Sequence, residues 1–199
     1  MPGNSALTNL TNHFLIAMPG LQDQVFSRSV VYVCEHNARG ALGLVINKPC
    51  DMDMKRLFQK VELPLHREDL AGALVFQGGP VQTERGFVLH EPIFVGADKP
   101  TESVYASTMT IPGGLEMTTS RDVLEALSTG FGPRKVLVSL GYSAWGEGQL
   151  ESELSDNSWL TVAASNSVIF DTPVAQRYDQ ALLLLGFEAW MLSPEAGHS

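Results

Sequence analysis

Cysteine is scarce: two thiols, Cys34 and Cys50, in 199 residues. Two are too few for a disulfide scaffold, and their spacing matches no zinc-binding arrangement. Basic side chains are also few. Thirteen Lys and Arg stand against 22 Asp and Glu, giving a formal net charge of −9 and a sequence pI near 4.9. Grip on a phosphate backbone depends mainly on positive charge, so this balance disfavours direct nucleic-acid binding. Apolar runs are short, the longest lying around residues 181–187, well under the ~20 residues a membrane-spanning helix needs. Residues 1–10 have neither the basic nor the apolar stretch of an export signal. A cytoplasmic protein with reduced thiols and no membrane association is therefore expected.

What is present is an apolar content of 44%, spread evenly enough for one core, so residues 1–199 are expected to form a single domain with 1–10 and 193–199 frayed. Residues 13–18 read as a strand stopped by Pro19-Gly20. Residues 29–36 and 41–47, rich in β-branched side chains and separated by Asn37-Ala38-Arg39-Gly40, read as a hairpin that ends at Lys48-Pro49. Asp51 or Asp53 can cap a helix over 54–61, with Met54, Leu57, Phe58 and Val61 on one stripe. Strands are predicted at 73–76, 87–90, 104–110, 115–119, 136–140, 159–163 and 168–170. Helices are predicted at 120–129, over 150–154, and from the Thr172-Pro173 start to Leu185. Paired strands early in the chain, without strict strand–helix alternation, make the fold class α+β, with about eight or nine strands and three or four helices.

Three stretches could carry chemistry. On a regular strand Val30, Tyr32, Cys34 and His36 share one face, so Cys34 and His36, with Glu35 and Asn37 beside them, could form a nucleophile or offer metal ligands. The plainer reading is a core thiol and a polar strand end. His90 could join them if its strand lay beside that of His36. Gly78 and Gly79 could let a backbone approach a ligand, with Arg85 meeting an anion, although the spacing is neither a Walker loop nor a dinucleotide fingerprint. Gly141-Tyr142-Ser143-Ala144-Trp145-Gly146 lacks the glycine two places after serine that a nucleophile elbow needs, and reads as a loop packing Tyr142 and Trp145 on the core. The five histidines, His13, His36, His66, His90 and His198, fall in separate segments without metal-binding spacing. No catalytic residue, metal site or cofactor is assigned.

These segments carry a resemblance. His13-Phe14-Leu15-Ile16-Ala17-Met18-Pro19, Arg28-Ser29-Val30 through Cys34-Glu35-His36-Asn37, and Gly43-Leu44-Val45-Ile46-Asn47-Lys48-Pro49 resemble the AlgH/YqgE family of bacterial proteins. So do Gly78-Gly79-Pro80-Val81, Glu84-Arg85-Gly86-Phe87-Val88-Leu89-His90, Asp122-Val123-Leu124-Glu125-Ala126 and Gly141-Tyr142 with Trp145. Gly148-Gln149-Leu150-Glu151, Asn157-Ser158-Trp159-Leu160 and Ala196-Gly197-His198 complete the set. Ser143, Ala144 and Ser165 depart from the family pattern of alanine, glycine and an acidic residue. The resemblance implies a single domain of coiled, branching β-sheets with peripheral helices, and a link to transcriptional regulation of alginate production. It brings no catalytic residues to carry over. The expected function is a non-catalytic regulator that binds a protein or a small molecule. The alternative is a thiol- or metal-dependent enzyme or sensor centred on Cys34, His36 and His90.

Overall fold

The structure is a computed structural model and describes residues 9–92 and 104–186. The expected fraying of 1–10 and 193–199, and the Ala196-Gly197-His198 motif, fall outside those residues, except that Asn9 and Leu10 are described, Asn9 exposed and Leu10 buried. The strands are β1 (His13–Ala17), β2 (Val30–Asn37), β3 (Gly40–Val45), β4 (Pro49–Asp53), β5 (Leu74–Gln77), β6 (Val81–His90), β7 (Thr108–Thr110), β8 (Glu116–Thr118), β9 (Val136–Trp145) and β10 (Trp159–Ala163). The helices are α1 (Met54–Lys60), α2 (Arg121–Ser128), α3 (Gln149–Ser155), α4 (Asn166–Phe170) and α5 (Arg177–Leu184). Among the described residues that is one strand and one helix more than the upper end of the sequence reading, within the α+β class it named.

The main sheet runs in the order β10-β1-β2-β3-β9-β6-β8-β7, antiparallel along the whole path. β9 is where it branches. One edge of β9 pairs with β6, while the other is shared by β3, opposite Ser143–Trp145, and by β5, which runs parallel opposite Ser139 and Leu140. β4 then pairs with β5 alone. The strands are apolar on both faces because both are covered. Phe14, Ile16, Tyr32, Leu44, Phe87 and Leu137 face a core closed by α4 and α5. Leu15, Val31, Val33 and Val45 face a second core around Trp145, Trp159 and Leu150 of α3. Val75, Val88 and Val138 face a third, beneath α1 and α2.

Asp53 caps α1 by accepting from the Arg56 N–H at 2.8 Å, as its sequence position predicts. Ser120 precedes α2, but its hydroxyl donates to Asp122 and accepts from the Ser107 N–H instead of capping the helix. Four expectations need correction. Residues 168–170 are helical, because Ser165 caps α4 and a three-residue apolar run has no period of its own. Residues 141–145 are strand, not loop: Gly141 takes φ +77° and lets β9 kink and continue, burying Trp145. Pro49 begins β4 where the sequence suggested only a stop. The Thr172-Pro173 start gives one 3₁₀ turn (Val174–Gln176) before α5, and the Thr172 hydroxyl donates to the Ser167 carbonyl.

Candidate functional site

Cys34 and His36 do not share a face. The β2–β3 register steps between Val33 and Glu35, a bulge that puts two residues of β2 opposite one of β3. Cys34 consequently joins the α4/α5 core, 1% exposed, and burial pushes its thiol far above the ordinary cysteine range. His36, paired with Ala41, turns to the opposite side. Its Nδ1 accepts from the Leu10 N–H at 3.0 Å, and its Nε2 lies 2.6 Å from Glu151 Oε1 on α3. With Nδ1 accepting, Nε2–H donates to the carboxylate. Desolvation is the largest single influence on Glu151 and raises its carboxyl, but the His36 bond and its own backbone N–H together with the nearby imidazole hold it below the usual carboxylate range. Both ring nitrogens are therefore spent on tying residue 10 and α3 to the end of β2. Glu35 and Asn37 are exposed and bond to each other at the hairpin turn.

His90 is remote from this group. His36 lies opposite Ala41, which pairs with Trp145, whereas His90 lies opposite Val136 at the other end of β9. At about 3.3 Å per residue that is roughly 30 Å along the strand. His90 is fully buried, with Nδ1 2.8 Å from the Glu91 carbonyl and Nε2 2.8 Å from Thr118 Oγ1. Arg85 is exposed on the part of β6 that bulges away from β9, bonding Gln82 and reaching Thr119. Gly78 and Gly79 do allow a close approach, but to β9. A Cβ on Gly78 would stand 2.0 Å from Ser139 Oγ and 2.4 Å from the Gly141 carbonyl. The Gly78 carbonyl accepts from Val45 N–H and from Ser143 Oγ, so it sits at the fork of the sheet. The proposed cluster therefore does not converge. Among the described residues no group of three or more His, Cys, Asp or Glu is arranged to hold a metal ion.

A different place does combine charge with space. Between the starts of β5 and β9, α4 and the start of α5 lies a cleft of about 450 Å³. Leu74, Phe76, Leu137 and Ile169 form its apolar walls, and Arg134, Lys135 and Arg177 bring positive charge to it. Arg177 is only 7% exposed. Its Nε donates to the Thr172 carbonyl at 3.0 Å, Nη1 donates to the Ile46 carbonyl, and the guanidinium carbon lies 4.9 Å from the centre of the Phe76 ring. No carboxylate pairs with Arg177 among the described residues, and Nη2 has no protein partner there. Burial pulls this guanidinium down to about 10. The two acids at the cleft are already engaged: Asp69 with Arg67 at 2.6 Å, and Asp171 with Lys135 at 3.1 Å. Arg67 also bonds the carbonyls of Phe131, Pro133 and Arg134, fixing the loop that presents Arg134.

The sequence reading passed over Arg177, although a signal was present. In α5 the buried residues are Arg177, Tyr178, Ala181 and Leu182, the i, i+1, i+4, i+5 stripe of a helix with one side packed. A charged residue on a buried stripe is the exception that asks for a reason.

The whole chain can now be set beside known proteins. The AlgH-like family (DUF179) matches residues 14–190. The chain belongs to the AlgH family. A UPF0301 protein of Albidiferax ferrireducens is 82% identical over 199 residues, and one of Variovorax paradoxus 76%, each aligned across both full chains. The solution structure of the AlgH protein from Pseudomonas aeruginosa is 44% identical, with a TM-score of 0.73 and 98% of each chain covered. A crystal structure of a protein from Corynebacterium diphtheriae, 17% identical with a TM-score of 0.66 over 86% of this chain and 84% of its own, shares the fold. The coiled, branching sheet is thus the AlgH architecture, and Arg177, Phe76 and the 134–138 segment lie within the matched range.

Proposed function

We propose that this AlgH-family chain is a non-catalytic regulatory protein of the cytoplasm that works by binding a small molecule in the cleft around Arg177. The observation that carries this reading is an arginine only 7% exposed, without a carboxylate partner among the described residues, on the wall of a cleft of about 450 Å³. That volume falls within the ~300–1,000 Å³ of ordinary small-molecule sites, and apolar walls with a few fixed polar groups are their usual make-up. The thiol- or metal-dependent alternative finds less support, since Cys34 is buried and both histidines are engaged in internal hydrogen bonds. An acidic chain also suits a binder of small molecules better than a binder of DNA.

The test compares two variants in a strain lacking the gene, reading the transcript profile that the deletion alters. Gly72→Trp should fail to restore it, because residue 72 borders the cleft and a Cβ there meets nothing within 4 Å, so the backbone accepts a side chain at the place where a bulky ring obstructs the cleft. Cys34→Ala should restore it. The opposite pair of results would transfer the function from the cleft to the thiol.

A further inference from the structure

We infer that the ligand of this cleft is a small oxyanion, a carboxylate or a phosphate monoester borne on a flat apolar body, with its oxygens on the free edge of Arg177. The inference rests on the cleft being the binding place proposed above and adds the chemistry of what enters it. Removing a guanidinium from water is costly, and a counter-charge is the usual compensation. Here the protein supplies two backbone carbonyls and the face of one ring, each a partial charge, and no carboxylate among the described residues.

The geometry of those bonds decides what is left over. Nε and one hydrogen of Nη1 are committed to Thr172 and Ile46, and Phe76 covers one face of the plane. The remaining donors are Nη2 and the other hydrogen of Nη1. Adjacent donors on one planar fork match the two oxygens of a carboxylate or phosphate, which is why guanidinium is suited to paired recognition of such groups. No described buried side-chain nitrogen or oxygen lacks a hydrogen-bond partner, so the bondless Nη2 retains access to solvent. It is open to a ligand.

The rest of the cleft agrees with that choice. Arg134 is exposed, Lys135 is half-exposed, and the cleft's carboxylates, Asp69 and Asp171, are both in ion pairs. On a chain of net charge −9, a patch whose acids are neutralised and whose cations outnumber them is a local reversal of sign. A cleft walled by low-dielectric side chains concentrates such a field. The walls of Leu74, Phe76, Leu137 and Ile169 suit an apolar body behind the oxyanion, and the Phe76 ring favours a flat one.

The experiment titrates the full chain at low salt with benzoate, phenyl phosphate and neutral benzamide, following heat and the NMR signal of the Arg177 Nε–Hε. Benzoate or phenyl phosphate should bind and move that signal, and whichever binds more tightly identifies the carboxylate or the phosphate as the source. Benzamide should bind at least about tenfold more weakly, and Arg177→Gln should weaken the anion by a similar factor. Because Arg177 also holds two carbonyls, its loss could disturb folding. The exposed double variant Arg134→Glu/Lys135→Glu provides a second reading, with weaker anion binding and a flatter dependence on salt. Benzamide binding as tightly as the anions would overturn the oxyanion while leaving the cleft as a binding site. Anions that leave the Arg177 signal unmoved would overturn the inference outright. Failure of the cleft itself is read separately, from Gly72→Trp restoring the transcript profile.

Discussion

Burial acts on Cys34 and Arg177 by the same physics and with opposite consequences for function. Each charged form loses hydration, so the Cys34 thiol is pushed up and stays protonated, while the Arg177 guanidinium is pulled down to about 10 and remains charged at neutral pH. The first is thereby made inert and the second is left as a desolvated cation. A Cys50→Ser variant, in which Cys34 is the remaining thiol, should show no reaction with an aromatic disulfide reagent at pH 7 until urea unfolds it. A fast native reaction would show that Cys34 is reachable. Neither outcome is visible in the residue's identity. Cys34 and Arg177 each look reactive or ordinary on paper; both are buried, and the protonation state that burial leaves each with separates them.

At the scale of elements, the branch in the sheet depends on Gly78, Gly79 and Gly141 packing backbone to backbone. A Cβ on Gly79 would stand 2.2 Å from the Tyr142 carbonyl carbon, and one on Gly141 2.6 Å from the Gly79 carbonyl oxygen. Gly78→Ala should destabilise the protein by about 3 kcal/mol in urea unfolding, from forced displacement of β5 relative to β9. Gly86→Ala, on an exposed stretch of β6 where a Cβ meets nothing within 4 Å, should change stability by less than about 0.5 kcal/mol. Equal losses at both positions would mean that the close approach at the seam does not account for the cost. The sequence marked Gly78-Gly79 as a place where a backbone could approach a ligand. What approaches is β9, some sixty residues later in the chain (Ser139 to Tyr142), and no local pattern announces a partner at that distance. The bulge at Cys34 is similar: strict alternation predicted one face for Cys34 and His36, and only pairing with β3 revealed the extra residue.

For the molecule as a whole, folding should become less favourable below neutral pH, with His90 as one source. Burial holds its imidazole below the ordinary value of 6.5, against a smaller opposing effect of the Glu91 carbonyl. The unfolded chain therefore takes up a proton first as pH falls. Stability from the neutral ring is complete above about pH 6.5 and is lost as pH drops through the folded-state value, by up to about 1.4 kcal/mol per pH unit. Glu116, opposite His90 in the β6–β8 register, has its carboxyl raised by burial and works in the other direction. The effect of His90 is accordingly read as the difference between wild type and His90→Gln across pH 7 to 5. Identical slopes for the two proteins would remove His90 from the account.

Much of this protein is settled locally. Apolar spacing placed β1, the β2–β3 hairpin, α1, α2, α3 and β10 within a residue or two, and fixed the α+β class, because each of those segments carries a full period of its own pattern. Charge content alone turned the reading away from DNA. Short runs such as 168–170, too brief to show a period, needed the Ser165 cap and the packed core to become helix. The candidate site was the least legible part. Arg177 meets the Ile46 carbonyl 131 residues earlier in the chain, stacks on Phe76 and shares its cleft with Arg134 and Lys135. Periodicity tells which face of an element is buried, but the partner of a buried face is chosen by the packing of the whole chain, and it was that choice that put a cation with no carboxylate partner among the described residues beside a cleft.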